Sequence, residues 1–303
     1  MVVTRDERFW PPNDTCQIQV YLPNDYWDSN ERYPVTYVLD GTNLFSPVQE
    51  ASLPQADCAN VSEDALPAKN APVDEEKPKK RAGTKHAKAQ KKAQQSAKEP
   101  ENKTKVQPFK TLPNWRLEQF LDNWSKRMIV VALERQTDTP ATTVDNSDPV
   151  DLIEKRIKPH IDAKLRTWSH REATAIVGAG STGILALHAV FGHNEVFSKA
   201  GCLSCDLRDS NHLLTKELLS QEISPDTRVF LSWGERDLAA TATSSHIVRD
   251  SPETRAATKI AQLLSARNAS IYVTIQKNGG SDEESWGALA PSLMNFLWLD
   301  QRM

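Results

Sequence analysis

The residues that could do chemistry sit at a few junctions of the chain. Val177-Gly178-Ala179-Gly180-Ser181-Thr182-Gly183-Ile184 puts small residues and two hydroxyls between an apolar strand-like run and an apolar helical one. Small residues are needed where a chain reverses tightly and a helix must pack close to the strand before it. A serine held at such a turn can act as a nucleophile when a base lies within hydrogen-bond reach. Ser181, within Ala179-Gly180-Ser181-Thr182-Gly183, is the candidate hydroxyl; the competing assignment makes it the cap of the following helix. Cys202-Leu203-Ser204-Cys205 has redox or metal-ligand spacing, but no second such pair exists and a metal site needs more ligands. Positions i and i+3 of a strand point to opposite faces. The expectation is therefore a buried Cys202 and a loop Cys205 lining a pocket at the strand ends. The histidines are His86, His160, His170, His188, His193, His212 and His246, and none follows His246. Packing or surface roles suit His188 and His193, in or just beyond an apolar helix, whereas His246 lies in a polar loop that could swing toward a site. Asp282, Glu283 and Glu284 fit a solvated acidic loop as well as a cation site, and no metal or cofactor is expected.

The elements that must position these residues alternate between two periodicities. Strands are predicted over 17–22, 33–39, 128–133, 173–178, 200–204, 228–232 and 270–275, from alternating or continuous apolar runs rich in β-branched residues. Helices are predicted over 115–124, 151–165, 184–191, 254–266 and 289–299; in the second, Leu152, Ile153, Ile157 and Ile161 share a face. Strands alternating with helices predict a mostly parallel sheet covered on both faces.

One stretch breaks the pattern. From about residue 50 to 110 Lys, Ala, Glu, Pro and Gln dominate, as in Glu76-Lys77-Pro78-Lys79-Lys80-Arg81. Such a segment cannot bury enough apolar surface to offset its ordering entropy. It is expected to be a disordered insertion in one domain spanning 1–303. Its basic runs carry no interleaved aromatics to stack on bases, which argues against nucleic acid as a partner. Across the 303 residues the net charge is −3, and no apolar run is long enough to span a bilayer. The charged start, Met1 to Arg8, lacks the apolar centre of a secretion signal. Four scattered cysteines (Cys16, Cys58, Cys202, Cys205) make no disulfide framework, so a reducing, cytoplasmic setting is the default expectation.

Several strings together resemble the putative-esterase family of α/β-hydrolases. Val20-Tyr21-Leu22-Pro23 through Tyr33-Pro34-Val35 resembles its opening strands, and Leu39-Asp40-Gly41-Thr42-Asn43-Leu44-Phe45 its oxyanion-loop segment. Lys158-Pro159-His160-Ile161-Asp162 resembles the helix before the nucleophile turn, Glu195 to Gly201 the segment after it, and Gly279-Gly280 with Glu283-Glu284-Ser285-Trp286 the catalytic-histidine loop. The resemblance implies an α/β-hydrolase fold, an oxyanion loop at Gly41 and Thr42, and an acid at Asp237. It also exposes two departures. Aligned without gaps, Gly180 falls on the nucleophile position and Ser281 on the histidine position. The implied reading is a catalytically degenerate, esterase-like protein with a binding or scaffolding role toward a small-molecule or protein ligand. The alternative is an active carboxylic-ester hydrolase that uses Ser181 as a shifted nucleophile.

Overall fold

The computed structural model describes residues 2–7, 14–39, 41, 43–45, 114–137, 149–241 and 251–299. The stretch read as an insertion, 50–110, lies outside the described residues, as do Thr42, His86 and His246. Residues 1–49 and 111–303 belong to one compact unit.

That unit is built on an eight-stranded sheet in the order β1-β2-β4-β3-β5-β6-β7-β8. The strands are β1 (Val2–Glu7), β2 (Asp14–Tyr21), β3 (Val35–Leu39), β4 (Ile129–Thr137), β5 (Thr174–Ala179), β6 (Lys199–Leu203), β7 (Arg228–Gly234) and β8 (Ser270–Gln276). β1 and β2 pair antiparallel at one edge, and the strands from β4 to β8 are parallel. The helices are α1 (Leu117–Asp122), α2 (Pro149–Leu152), α3 (Lys158–Lys164), α4 (Ser181–Gly192), α5 (Leu207–Ser220), α6 (Glu235–Thr241), α7 (Pro252–Ser265) and α8 (Glu283–Trp298). A π-helical turn, Ile153–Ile157, joins α2 to α3.

Side-chain alternation along the strands divides the core in two. Val35, Tyr37, Ile129, Val131, Ile176, Cys202, Val229 and Leu231 pack with Ile157, Leu187, Leu214 and Ile260 from the helical run 149–164, α4, α5 and α7. Val38, Val130, Ala132, Val177, Leu203 and Phe230 pack with Leu117 of α1 and Leu293 and Trp298 of α8. Helices thus cover both faces, and parallel strands buried on both sides read as the unbroken apolar runs seen in the sequence. Each fully buried Leu, Ile or Phe contributes about 1.5–3 kcal/mol relative to exposure.

Three readings need correction. α4 begins at Ser181, so Ser181 is its first residue and Gly180 its cap position. The turn is tighter than a serine cap would make it, because Gly180 takes a positive φ. Cys205 does not line an open pocket: it is 1% exposed and is joined to Cys202 by a disulfide. Strand alternation fails there because Ser204 adopts φ 53° and turns the chain back, leaving the two Cα atoms 6.1 Å apart. Finally, β4 runs to Thr137, past the predicted loop start at Gln136, because β2 pairs with it to its end.

Candidate active site

In open α/β sheets, ligands bind outside the carboxyl ends of the strands. Here the ends of β5 and β7, with the segment after β8, hold the candidate residues.

β5 ends at Ala179, α4 starts at Ser181, and Gly180 alone makes the turn, with φ 58° and ψ −124°. An L side chain is strained there, which is the backbone state associated with a nucleophile turn. A Cβ at Gly180 would meet no atom within 4 Å, so the turn is open on the side where a side chain would project. The turn is pinned from beneath. Gly180 N–H donates to Leu203 O (2.8 Å), and the Thr182 hydroxyl donates to Ala179 O (2.9 Å). Gly178 is required by the close packing of helix on strand, since a Cβ there would collide with the Thr182 carbonyl. Ser181 is exposed at the first position of α4.

Asp237 lies in the first turn of α6, immediately after β7. The Ser281 hydroxyl donates to its Oδ2 at 2.9 Å, and the Ser281 backbone N–H donates to Oδ1 at 3.1 Å. The sequence-predicted acid and the residue at the histidine position are therefore brought together. Neighbouring bonds hold their two segments in register. Arg236 N–H donates to Gly279 O (3.0 Å), and Asn278 N–H donates to Glu235 Oε2 (3.1 Å). Arg236 also pairs with Asp282 at 2.6 Å. Asp282 caps α8 by accepting from Ser285 N–H at 2.8 Å. That backbone bond, with Arg236 assisting, holds the Asp282 carboxyl below the usual range. The acidic loop is thus a structural cap rather than simply solvated.

On the other side of the site, Gly41 is buried, and its N–H donates to Leu133 O at 3.2 Å. That donor is already engaged, so of the two oxyanion-loop candidates only Thr42 is left, outside the described residues. Asn43, part of the oxyanion-loop string but given no role in it, donates to Glu283 Oε1 (3.2 Å) and ties this loop to α8. Trp286 on α8 donates to the Ser204 hydroxyl (3.1 Å), and its ring lies 5.9 Å from that of Trp115. Trp286 lies two residues after the acidic triplet, in the string that resembles the histidine loop, and was given no role there.

The two histidines of the α4 region serve other carboxylates. His188 Nδ1 lies 2.7 Å from Glu217, and His193 Nδ1 lies 2.6 Å from Glu154. His188 is about two helical turns along α4 from Ser181, so it cannot reach that hydroxyl.

Strand order, the single-residue turn and the loop cluster define an α/β-hydrolase fold. The family model described as "Putative esterase" matches residues 11–291, and the chain belongs to this esterase family. Among solved structures it is similar to an IroE-like serine hydrolase from Shewanella oneidensis (17% identity, TM-score 0.55, covering 98% of this chain and 78% of that one). It is also similar to S-formylglutathione hydrolase FrmB from Staphylococcus aureus (10% identity, TM-score 0.56, 98% of each chain). A third is the siderophore hydrolase EstB from Aspergillus nidulans (12% identity, TM-score 0.56, 97% of this chain and 94% of that one). At these identities the likeness is one of fold. No curated protein matches the chain. Among the described residues no helix is long and apolar enough to cross a membrane.

Proposed function

We propose that the chain is a catalytically degenerate member of the esterase family, which binds a small-molecule or protein ligand at the carboxyl edge of its sheet instead of hydrolysing an ester. The observation that carries this reading is Gly180 alone at the strained tip of the β5–α4 turn, with open space where a nucleophile would project. A second observation supports it: Asp237 is bonded to a serine hydroxyl, which cannot serve as an imidazole base. Nucleophile and base act as a unit, and an acid left without its histidine has nothing to orient.

The test uses a fluorophosphonate probe and a short-chain p-nitrophenyl ester on the full chain. Neither labelling nor turnover above background is expected. Stoichiometric labelling that disappears in Ser181→Ala would overturn the proposal and establish the competing reading, in which exposed Ser181 attacks.

A further inference from the structure

At the end of α4 remote from the Gly180 turn, the chain gathers imidazoles and carboxylates from three helical segments. Asp151 of α2 and Glu154 of the π turn lie three residues apart, so both face α4. His193 is the C-cap residue of α4, and His188 lies on its last turns. Glu217 comes from α5. One ligand-capable atom each from Asp151, Glu154 and His193 lie within 4.8 Å of one another. The His188 and His193 rings meet edge to face with centroids 5.6 Å apart. The group is half-sheltered, with side-chain exposures of 17% for His193, 23% for Glu154 and 29% for Glu217. Glu217 bonds His188 through Oε1, while its Oε2 is buried with no hydrogen-bond partner.

The geometry points to a divalent transition-metal site formed by His193, Glu154 and Asp151, with the His188–Glu217 pair beside it, fastening the helical run 149–164 to the end of α4. The donor set selects the cation class. Imidazole nitrogen with carboxylate oxygen suits zinc, cobalt or nickel, whereas calcium and magnesium take oxygen alone. His193 Nδ1 and Glu154 Oε2 lie 2.6 Å apart, so an ion held by bonds of about 2.0–2.2 Å needs that pair to open slightly while Asp151 moves in, which rotamer adjustments at half-exposed side chains supply. One group competes. Lys155 Nζ holds Asp151 at 2.8 Å, and this bond is the main reason that the Asp151 carboxyl sits below its usual range. The carboxylates of Asp151, Glu154 and Glu217 outnumber the one lysine ammonium beside them, on Asp151, an excess that a dication would offset. The π turn beginning at Ile153 fits the same picture, since such bulges accumulate at functional sites.

The test is a titration of zinc, and separately of cobalt, into full-length chelator-treated protein at pH 7.5, read by calorimetry and visible absorption. One equivalent is expected to bind. The cobalt form should show weak d–d bands without the intense thiolate charge-transfer band that a site at Cys202 and Cys205 would give. Glu154→Gln and His193→Ala should each weaken binding at least tenfold, and Lys155→Ala should tighten it by freeing Asp151. The Glu154→Gln substitution is nearly isosteric and keeps the test valid if His193→Ala fails to fold. Absence of binding, binding unchanged in Glu154→Gln, or binding abolished by Cys202→Ser with Cys205→Ser would each overturn the assignment. The first of these would leave the cluster as two histidine–carboxylate pairs.

Discussion

The two edges of the parallel sheet carry opposite kinds of polar chemistry. At the amino edge, the polar groups of Lys199, Arg171, Asn194 and Thr227 are held in dense hydrogen bonding. Lys199 is fully buried in β6, bonded to the Glu172 carbonyl and the Ser198 hydroxyl (2.8 Å), with its ammonium 4.5 Å from the centre of the Trp298 ring. Arg171 pairs with Asp226 at 2.6 Å and donates to Asn194 O at 2.6 Å, while Asn194 bonds Thr227 at 3.0 Å. At the carboxyl edge, Gly180 has no side chain, and the Asp237–Ser281 pair is open to water. A dense polar network serves to hold a fold, because each buried group left unpaired would cost about 1–3 kcal/mol. An open edge of this kind is what the proposed loss of the reacting groups on a retained scaffold would leave.

The largest expected effect tests how tightly the scaffold beneath the open edge is packed. A Cβ at Gly183 would lie 2.8 Å from Cys205 Sγ and 3.1 Å from both Cys202 Sγ and Gly178 O. Gly183→Val should therefore cost about 3 kcal/mol, at the upper end of overpacking penalties, measured by urea unfolding. A loss below about 1 kcal/mol would show that α4 can move off β6, and the claim of a rigid scaffold would fall.

The next effect belongs to the amino edge. Burial pushes the Lys199 ammonium down to about 7; Arg228 and Arg171 add to this, and Asp226 and Glu172 oppose it. In the unfolded chain the same group titrates near 10.4. Between these values the unfolded state binds the extra proton, so stability rises with pH through that window and is flat below it. The slope approaches about 1.4 kcal/mol per pH unit. Denaturation midpoints between pH 6 and 9 should climb in the parent protein and climb less in Lys199→Met. Identical slopes would mean that the lysine is solvated, and the contrast between edges would weaken.

How far the sequence carried these features follows from their range. Strands β3 to β7 were legible because burial on both faces leaves apolar runs, whereas β8, an edge strand with Tyr272 and Val273 exposed, was legible from its β-branched and aromatic residues. The strand-to-helix turn at Gly180 was legible because it is set by residues adjacent in sequence. α5 was missed: Leu207, Leu214 and Leu218 mark its buried stripe, but Leu213 and Leu219 are exposed at 64% and 60% and blur the period. α6 was hidden inside the loop that carries Asp237. The turn of Cys205 depends on a positive φ at Ser204, a residue type that gives no warning of it. The meeting of Glu154 with His193 joins residues from different helices, and neither side chain announces the other.

The smallest effect is the most discriminating. If the carboxyl edge has lost only its reacting groups, Gly180→Ser with Ser281→His should create weak esterase activity. The serine side chain has room, since no atom lies within 4 Å of the added Cβ, and its cost is the sparsely populated backbone at φ 58° and ψ −124°, about 1–3 kcal/mol. Thr182 should stay, because its hydroxyl pins the turn to Ala179. Asp237 now accepts the Ser281 hydroxyl at 2.9 Å, and an imidazole N–H in its place would be oriented by the same carboxylate. Each single change should remain at background, because nucleophile and base contribute far from additively. Hydrolysis of p-nitrophenyl acetate by parent, both single variants and the double variant, at one pH and with folding checked by circular dichroism, decides the matter. A folded double variant at background would mean that the loss reaches beyond Gly180 and Ser281. The engaged Gly41 N–H is the next suspect, because an oxyanion hole lacking a donor forfeits about 2.7–4 kcal/mol of transition-state stabilisation.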